Sequence, residues 1–137
     1  MIRAVLALLL AAFALAGCQA APSSAQPASS PPVFAAAGAV LACTKDLPPE
    51  AHEVVEDVEA GGPYEYPRND GVTFGNREGL LPDEDPGYYR EFTVRTPGAG
   101  NRGARRIVTG GPDERDPEHW YYTDDHYESF CEFAPQP

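Results

Sequence analysis

The stretch YYREFTVRTPGAGNRGARRIVTG, residues 88–110, decides the fold of this chain. Its two ends, Tyr88–Val94 and Ala104–Thr109, are rich in the aromatic and β-branched residues that favour strands. The segment between them is rich in glycine, which is typical of turns. The stretch therefore predicts a β-hairpin at the centre of the protein.

Charged residues around this hairpin form a candidate reactive cluster. Glu91 lies on the first strand, and Arg102, Arg105 and Arg106 bring three guanidinium groups towards it. Because side chains alternate across a strand, Arg105 is predicted to face away from Arg106. A histidine, His126, follows downstream. A carboxylate, arginines and a histidine can together bind a phosphate and move protons, although the same groups could form a structural ion-pair network.

One helix and several short strands are predicted around the hairpin. Apolar residues spaced three, one and three apart, with prolines before them and Gly-Gly-Pro after them, indicate an amphipathic helix. These residues are Ala51, Val54, Val55 and Val58. Further strands are predicted at Val72–Phe74, His119–Thr123 and His126–Phe133. A helix followed by strands, without βαβ alternation, indicates an α+β domain with an antiparallel sheet.

The N-terminal residues are predicted to direct export. Residues 1–17 combine an early arginine with an unbroken apolar run, as in a signal peptide. They end in Leu-Ala-Gly before Cys18, which resembles a bacterial lipobox, and lipidation of Cys18 would then anchor the protein. The alternative is an ordinary signal peptide cleaved near Ala20. We expect the protein to be extracellular or held on the outer face of the cell membrane.

The next segment is predicted to be a tether. Residues 18–38 are rich in Ala, Pro and Ser and carry no charge, a composition that cannot bury a core. Residues 39–137 remain as one folded domain. If Cys18 carries lipid, Cys43 and Cys131 are the remaining cysteines, and an oxidising compartment favours a disulfide clasp between them.

Charge is distributed unevenly along the chain. The net charge of −11, which becomes −12 without Arg3, argues against general affinity for nucleic acid. Residues 88–109 nevertheless contain five arginines and one glutamate, a local charge of +4. Any binding of a polyanion is therefore expected at the hairpin.

An ordered set of motifs resembles the secreted microbial guanyl-specific ribonucleases of the barnase group, in particular the ribonuclease Sa branch. The resemblance extends from Cys43 to Phe130 and is specific as an ordered set. Its motifs are Leu47–Ala51, Gly71–Phe74, Asn76–Glu78, Leu81–Pro82, Gly87–Val94, Thr96–Gly98, Arg102–Gly103, Arg105–Gly110, Tyr121–Thr123 and Asp125–Tyr127. It implies the microbial ribonuclease fold, one helix packed on a small twisted antiparallel sheet.

The resemblance also implies an activity and its residues. The family cleaves single-stranded RNA 3′ of guanosine through a 2′,3′-cyclic phosphate. Glu91 matches its general base and His126 its general acid, and the local charges agree with these roles. Arg102 and Arg106 match the arginines that contact the phosphate, and Tyr127 a tyrosine that supports the phosphate pocket. No metal or other cofactor is implied.

Guanine recognition would fall to the loop Phe74, Gly75, Asn76, Arg77 and Glu78. In the family this loop offers backbone N–H groups to the base, and the glutamate accepts hydrogen bonds from it. Phe74 and Arg77 would flank the base by stacking. Gly75 departs from the family, where relatives commonly carry a larger polar residue.

Two further departures concern the chain ends. Cys131 lies five residues after His126, earlier than the matching family cysteine, and the lipobox and tether are not typical of freely secreted relatives. The alternative function is a surface-anchored binding module on the same fold. We expect a monomer, and a barstar-like protein inhibitor is a possible partner if the enzyme serves as a toxin.

Overall fold

A computed structural model describes residues 39–136 of the chain. The predicted signal peptide, Cys18 and the tether up to residue 38 lie outside the described residues. Within the described range, no helix combines the length and hydropathy that a membrane crossing requires.

The predicted helix is confirmed as α1, Pro49–Ala60. Proline occupies its first turn, where a missing backbone N–H costs nothing. The apolar stripe buries Ala51, Val55 and Val58. The helix ends at Ala60. The capping residue Gly61 has a φ of 78°, which is left-handed and suits glycine, and the Gly62 N–H donates to Asp57 O at 2.7 Å.

Five strands form one sheet in chain order, with every neighbouring pair antiparallel. They are β1 (Val72–Thr73), β2 (Tyr89–Thr93), β3 (Arg106–Gly110), β4 (His119–Thr123) and β5 (Cys131–Glu132). The central pair is the predicted hairpin, and the α+β class is confirmed. In its register Glu91 lies opposite Val108, and Arg106 lies between Thr93 and Thr123.

The two faces of the sheet carry different clusters. On one face Phe92, Ile107 and Trp120 pack with the apolar stripe of α1 and form the main core. On the other face Leu81, Tyr89, Val108 and Tyr121 form a second cluster. Since directly opposed residues of antiparallel strands share a face, Glu91, Arg106 and Thr123 lie on the second face, away from the helix.

The prediction of a last strand over His126–Phe133 is wrong. Only Cys131–Glu132 is a strand, and His126 and Tyr127 have φ values of 61° and 74°, which a strand does not allow. Side-chain hydrogen bonds from the end of β4 turn the backbone into a loop instead. Thr123 Oγ1 accepts the Tyr127 N–H at 3.2 Å, and Asp125 Oδ1 accepts the Ser129 N–H at 2.9 Å.

A disulfide joins Cys43 to Cys131, as the sequence predicts. The partners are 88 residues apart, so closing this loop stabilises the fold by about 4–5 kcal/mol in the chain-entropy estimate. Backbone hydrogen bonds at 2.8 and 2.9 Å also join residues 41–43 to Glu132. The N-terminal arm is therefore held along β5.

Candidate active site

A chain of hydrogen bonds connects Arg106, Tyr127 and Glu91 on the face away from the helix. The Tyr127 hydroxyl donates to Glu91 Oε2 and accepts from Arg106 Nε at 3.2 Å. Arg106 is almost fully buried, and its Nη1 donates to the carbonyl oxygens of Gly103 and Arg105 at 2.9 and 2.7 Å. Burial and the hydrogen bond to Glu91 raise the pKa of Tyr127 to about 12, so its hydroxyl keeps the donated proton.

The predicted approach of three arginines to Glu91 is not what the structure shows. Among residues 39–136 no arginine forms an ion pair with Glu91, because the Tyr127 hydroxyl lies between Glu91 and Arg106. Arg105 faces away from Arg106, as alternation predicts, and its Nη1 lies 3.6 Å from Glu50 on α1.

Arg102 is held by Thr93, which lies on β2, the same strand as Glu91. Its Nε donates to Thr93 Oγ1 at 3.0 Å, and its Nη2 donates to the same oxygen. Nη2 also lies 3.7 Å from Asp70 Oδ1, and the guanidinium carbon lies 5.7 Å from the centre of the Tyr66 ring. Neither Asp70 nor Thr93 is among the predicted site residues.

His126 and Arg102 line one open cleft. Its volume is ≈ 600 Å³, and its lining residues are Asn101, Arg102, Gly103, Ala104 and His126. His126 is exposed, and the centre of its ring lies 4.9 Å from that of Tyr127. The turn after β4 thus places a histidine at the cleft and, in the next residue, the tyrosine that contacts Glu91.

The loop from Phe74 to Glu78 follows β1 and borders the same face. Phe74 packs against Tyr127 and Phe130, with ring centres 5.1 and 5.8 Å apart. Arg77 lies over Gly75, because a Cβ built on Gly75 would be 3.7 Å from Arg77 Cγ. Glu78 is exposed.

The Asn76 side chain is used within this loop. Its Nδ2 donates to the carbonyl oxygens of Leu81 and Pro82 at 2.9 and 3.2 Å, and its Oδ1 accepts the Leu81 N–H at 3.1 Å. These bonds hold Asn76 at a φ of 42°, which asparagine tolerates better than most residues. The contribution of Asn76 is therefore to the shape of the loop.

The geometry brings together most of the predicted residues. Glu91, Tyr127, Arg106, Arg102 and His126 lie on one face, with the loop of Phe74 at its border through the Tyr127 ring. A carboxylate that can accept a proton, a histidine that can donate one, and two guanidinium groups that can bind an oxyanion are suited to chemistry at a phosphodiester.

Comparison with known proteins agrees with this interpretation. The ribonuclease family profile matches residues 31–134. Guanyl-specific ribonuclease St of Saccharopolyspora erythraea is 56% identical over 85 residues, 62% of this chain and 78% of the relative. Guanyl-specific ribonuclease Sa of Kitasatospora aureofaciens is 49% identical over 88 residues, 64% of this chain and 86% of the relative. Ribonuclease Sa3 from the same organism is 52% identical, and the matched region covers 59% of its length.

Solved structures agree with the fold. Ribonuclease Sa2 in complexes with mononucleotides aligns with a TM-score of 0.62 and 44% identity, over 71% of this chain and 96% of that chain. Ribonuclease Sa2 with guanosine-2′-cyclophosphate aligns with a TM-score of 0.61 over 72% of this chain and all of that chain. The chain therefore belongs to the ribonuclease family, within the microbial guanyl-specific group near ribonuclease Sa. Membership of this group makes it an RNA-cleaving enzyme.

Proposed function

We propose that this ribonuclease cleaves single-stranded RNA on the 3′ side of guanosine by transesterification. The 2′-oxygen of the guanosine forms a bond to the adjacent phosphorus while the bond from phosphorus to the 5′-oxygen of the next nucleotide breaks. Glu91 takes the proton of the 2′-hydroxyl, and His126 gives a proton to the departing 5′-oxygen. The products are a 2′,3′-cyclic phosphate and a free 5′-hydroxyl.

The observation that carries this proposal is the shared face of the acid, the base and the arginines. Tyr127 fixes the Glu91 carboxylate, and His126 is the residue before Tyr127 in the same turn. An oxygen that develops negative charge on the phosphorus needs donors that are already in place. Arg102 and Arg106 are held by protein acceptors, so they provide such donors without reorganising.

The loop after β1 is proposed to recognise the guanine base and so to give the enzyme its preference for guanosine. The backbone N–H groups of Asn76 and Arg77 make no hydrogen bond to other residues of the described range, which leaves them free for a base oxygen. Glu78 is exposed beside them and can accept from the N1–H and amino groups of guanine. Relatives named as guanyl-specific, and a ribonuclease Sa2 structure with a guanosine ligand, support this choice of base.

Digestion of short RNAs of defined sequence tests the proposal. The purified protein should cleave after guanosine in the presence of EDTA and leave cyclic phosphate ends. Glu91→Ala and His126→Ala should each lower kcat by about 100-fold or more, because each removes one proton transfer. Glu78→Ala should instead reduce the preference for guanosine over adenosine. A matched control is His52→Ala, since His52 is exposed on α1 and on the opposite face.

Two results would contradict the proposal. Intact RNA after incubation with folded protein would favour the binding module over catalysis. Cleavage that persists in Glu91→Ala and His126→Ala would assign the acid and base to other residues. Export, lipidation of Cys18, a monomeric state and a barstar-like inhibitor remain proposals that rest on the sequence.

A further inference from the structure

Asp70 is a buried acidic residue to which the proposed reaction assigns no role. It lies in the turn before β1 and is only 8% exposed. Its Oδ1 accepts the Thr93 N–H at 2.8 Å and the Thr93 hydroxyl at 2.6 Å, and its Oδ2 accepts the Tyr66 N–H at 3.1 Å. Three donors from two segments therefore fix this carboxylate against the end of β2.

The Thr93 hydroxyl connects Asp70 to Arg102. Because its hydroxyl hydrogen points to Asp70, the lone pairs of the oxygen are left for other donors. Arg102 Nε and Nη2 both donate to that oxygen, and Nη2 also faces the Asp70 carboxylate at 3.7 Å. An isolated threonine hydroxyl could rotate, but the hydrogen bond to Asp70 Oδ1 holds it in the orientation that accepts from arginine.

The contacts use one edge of the guanidinium and leave the other free. Thr93 takes the edge formed by Nε and Nη2, so among residues 39–136 the end formed by Nη1 and the outer hydrogen of Nη2 has no hydrogen-bond acceptor. Arg102 and His126 together line the cleft of ≈ 600 Å³. The hydrogen bonds of Nε and Nη2 to Thr93 therefore fix the direction in which Nη1 points.

We propose that Asp70 and Thr93 are positioning residues that aim Arg102 at the scissile phosphate. This inference rests on the proposed function. Arg102 lies outside the strands, in the connection between β2 and β3, and its backbone alone does not fix a side chain of that length. The Asp70–Thr93 pair anchors its guanidinium to the sheet, and preorganised donors act on the transition state more than on substrate binding.

Kinetics of Thr93→Val, in the full-length protein and on the same defined RNAs, test this role. Valine keeps the shape of threonine but removes the hydroxyl, so kcat should fall about tenfold while KM changes less than twofold. Thr93→Ser restores the hydroxyl and should recover most of kcat. In an Arg102→Ala background the effect of Thr93→Val on kcat should shrink to less than twofold, because the residue acts through Arg102.

A buried control and a spectroscopic readout separate positioning from stability. Thr109→Val changes the same side chain on β3, buried and on the opposite face of the sheet, and should leave kcat unchanged. NMR relaxation of the Arg102 Nε–H should show an ordered guanidinium in the wild type and in Thr93→Ser, and a mobile one in Thr93→Val. This readout does not require turnover.

The outcomes distinguish this inference from the proposed function. A loss of kcat of equal size with and without Arg102 would overturn the positioning role, as would an equally ordered Arg102 Nε–H in Thr93→Val. Those results leave guanosine-specific cleavage by the wild type intact. A wild type that cleaves no RNA overturns the proposed function, and with it the purpose assigned to Asp70 and Thr93.

Discussion

At the scale of single residues, the Tyr127 hydroxyl lies between Glu91 and Arg106 and bonds to both. It donates to the carboxylate and accepts from Arg106 Nε, so it separates two groups that would otherwise attract each other directly. A direct Arg–Glu pair would occupy both with one another. With the phenol between them, the carboxylate keeps an oxygen that can take the substrate proton in the proposed mechanism, and the guanidinium keeps an N–H group that can donate to the phosphate.

Replacement of this hydroxyl gives a prediction at the same scale. Tyr127→Phe should lower kcat by about tenfold with a small change in KM, because the carboxylate loses the donor that orients it. The ring contacts with Phe74 and Phe130 remain, so the loss of unfolding free energy should be about 1 kcal/mol. Steady-state kinetics and urea unfolding measure both quantities.

The control for this variant lies on the other face of the sheet. Tyr122 packs against the core beneath α1, and Tyr122→Phe should leave kcat unchanged. If Tyr127→Phe cleaves RNA at the wild-type rate, the hydroxyl has no part in orienting Glu91.

At the scale of elements, the connection between β2 and β3 places Arg102. Two parts of this connection approach each other closely at Gly103, where an added Cβ would lie 2.3 Å from Thr96 Oγ1. The φ of Gly103 is 65°. The Gly103 carbonyl oxygen also accepts from Arg106 Nη1 at 2.9 Å. The backbone at Gly103 therefore affects both arginines, since Gly103 follows Arg102 and accepts a hydrogen bond from Arg106.

Gly103→Ala should disturb this connection. The clash and the left-handed backbone should lower the unfolding free energy by about 1–3 kcal/mol, and displacement of Arg102 should lower kcat as well. Gly100→Ala is the matched control, because Gly100 lies in the same loop and an added Cβ there would have no atom of the described residues, apart from its chain neighbours, within 4 Å. Urea unfolding and RNA digestion of both variants make the comparison. Equal behaviour of the two would show that the loop adjusts at Gly103 without cost.

Elements with strong local patterns could be predicted from the sequence. The stripe of α1, its proline start and glycine stop, and strand β4 follow from neighbouring residues alone, and all are found. The strand predicted from His126 is absent because its aromatic residues favour strands, while Thr123 and Asp125 offer the backbone competing hydrogen bonds. Local propensity does not reveal which of the two wins.

The sequence could predict which residues of the candidate site lie on one face, but not their contacts. Resemblance identified Glu91, Arg102, Arg106 and His126 as candidates. The Asp70–Thr93 pair was missed because the two residues are 23 positions apart and Asn-Asp-Gly is an ordinary turn sequence. Only the pairing of the chain across the sheet brings this carboxylate to the hydroxyl.

At the scale of the whole molecule, most of the local positive charge is neutralised. Of the five arginines in residues 88–109, Arg90, Arg95 and Arg105 pair with Glu114, Glu53 and Glu50, and Arg102 lies 3.7 Å from Asp70. In the proposed function, Arg102 and Arg106 are the arginines that contact the phosphate. Under the proposed function, this acidic protein would offer RNA only a small cationic site, which would limit binding to chains that can reach this face.

Buried tyrosines give the whole molecule a defined response to alkali. Burial raises the pKa of Tyr89, and burial raises the pKa of Tyr121 and of Tyr127 to about 12. In the unfolded chain these phenols ionise near pH 10. Their contribution to stability should be complete below pH 10 and should be lost as pH rises from 10 to 12, by at most about 1.4 kcal/mol per pH unit for each tyrosine.

Urea unfolding followed by Trp120 fluorescence at pH 8 to 11.5 measures this loss. The unfolding free energy should change little up to about pH 9.5 and then decline. The unfolding free energy of Tyr127→Phe should decline less steeply, because one of the phenols with a raised pKa is absent. A free energy that stays level to pH 11.5 would show that these hydroxyls ionise as readily in the folded protein as in the unfolded chain.

The amide of Asn76 has a consequence for protein engineering. That side chain bonds to the backbone of Leu81 and Pro82 and so holds one end of the loop to the other. Gly75 has ordinary backbone angles and room for a Cβ, and Glu78 is exposed. Under the proposed function, the residue that shapes the loop, Asn76, is therefore different from Glu78, which would contact the base. Libraries that vary positions 75 and 78 while Asn76 is kept are the natural starting point for ribonucleases with a new base preference.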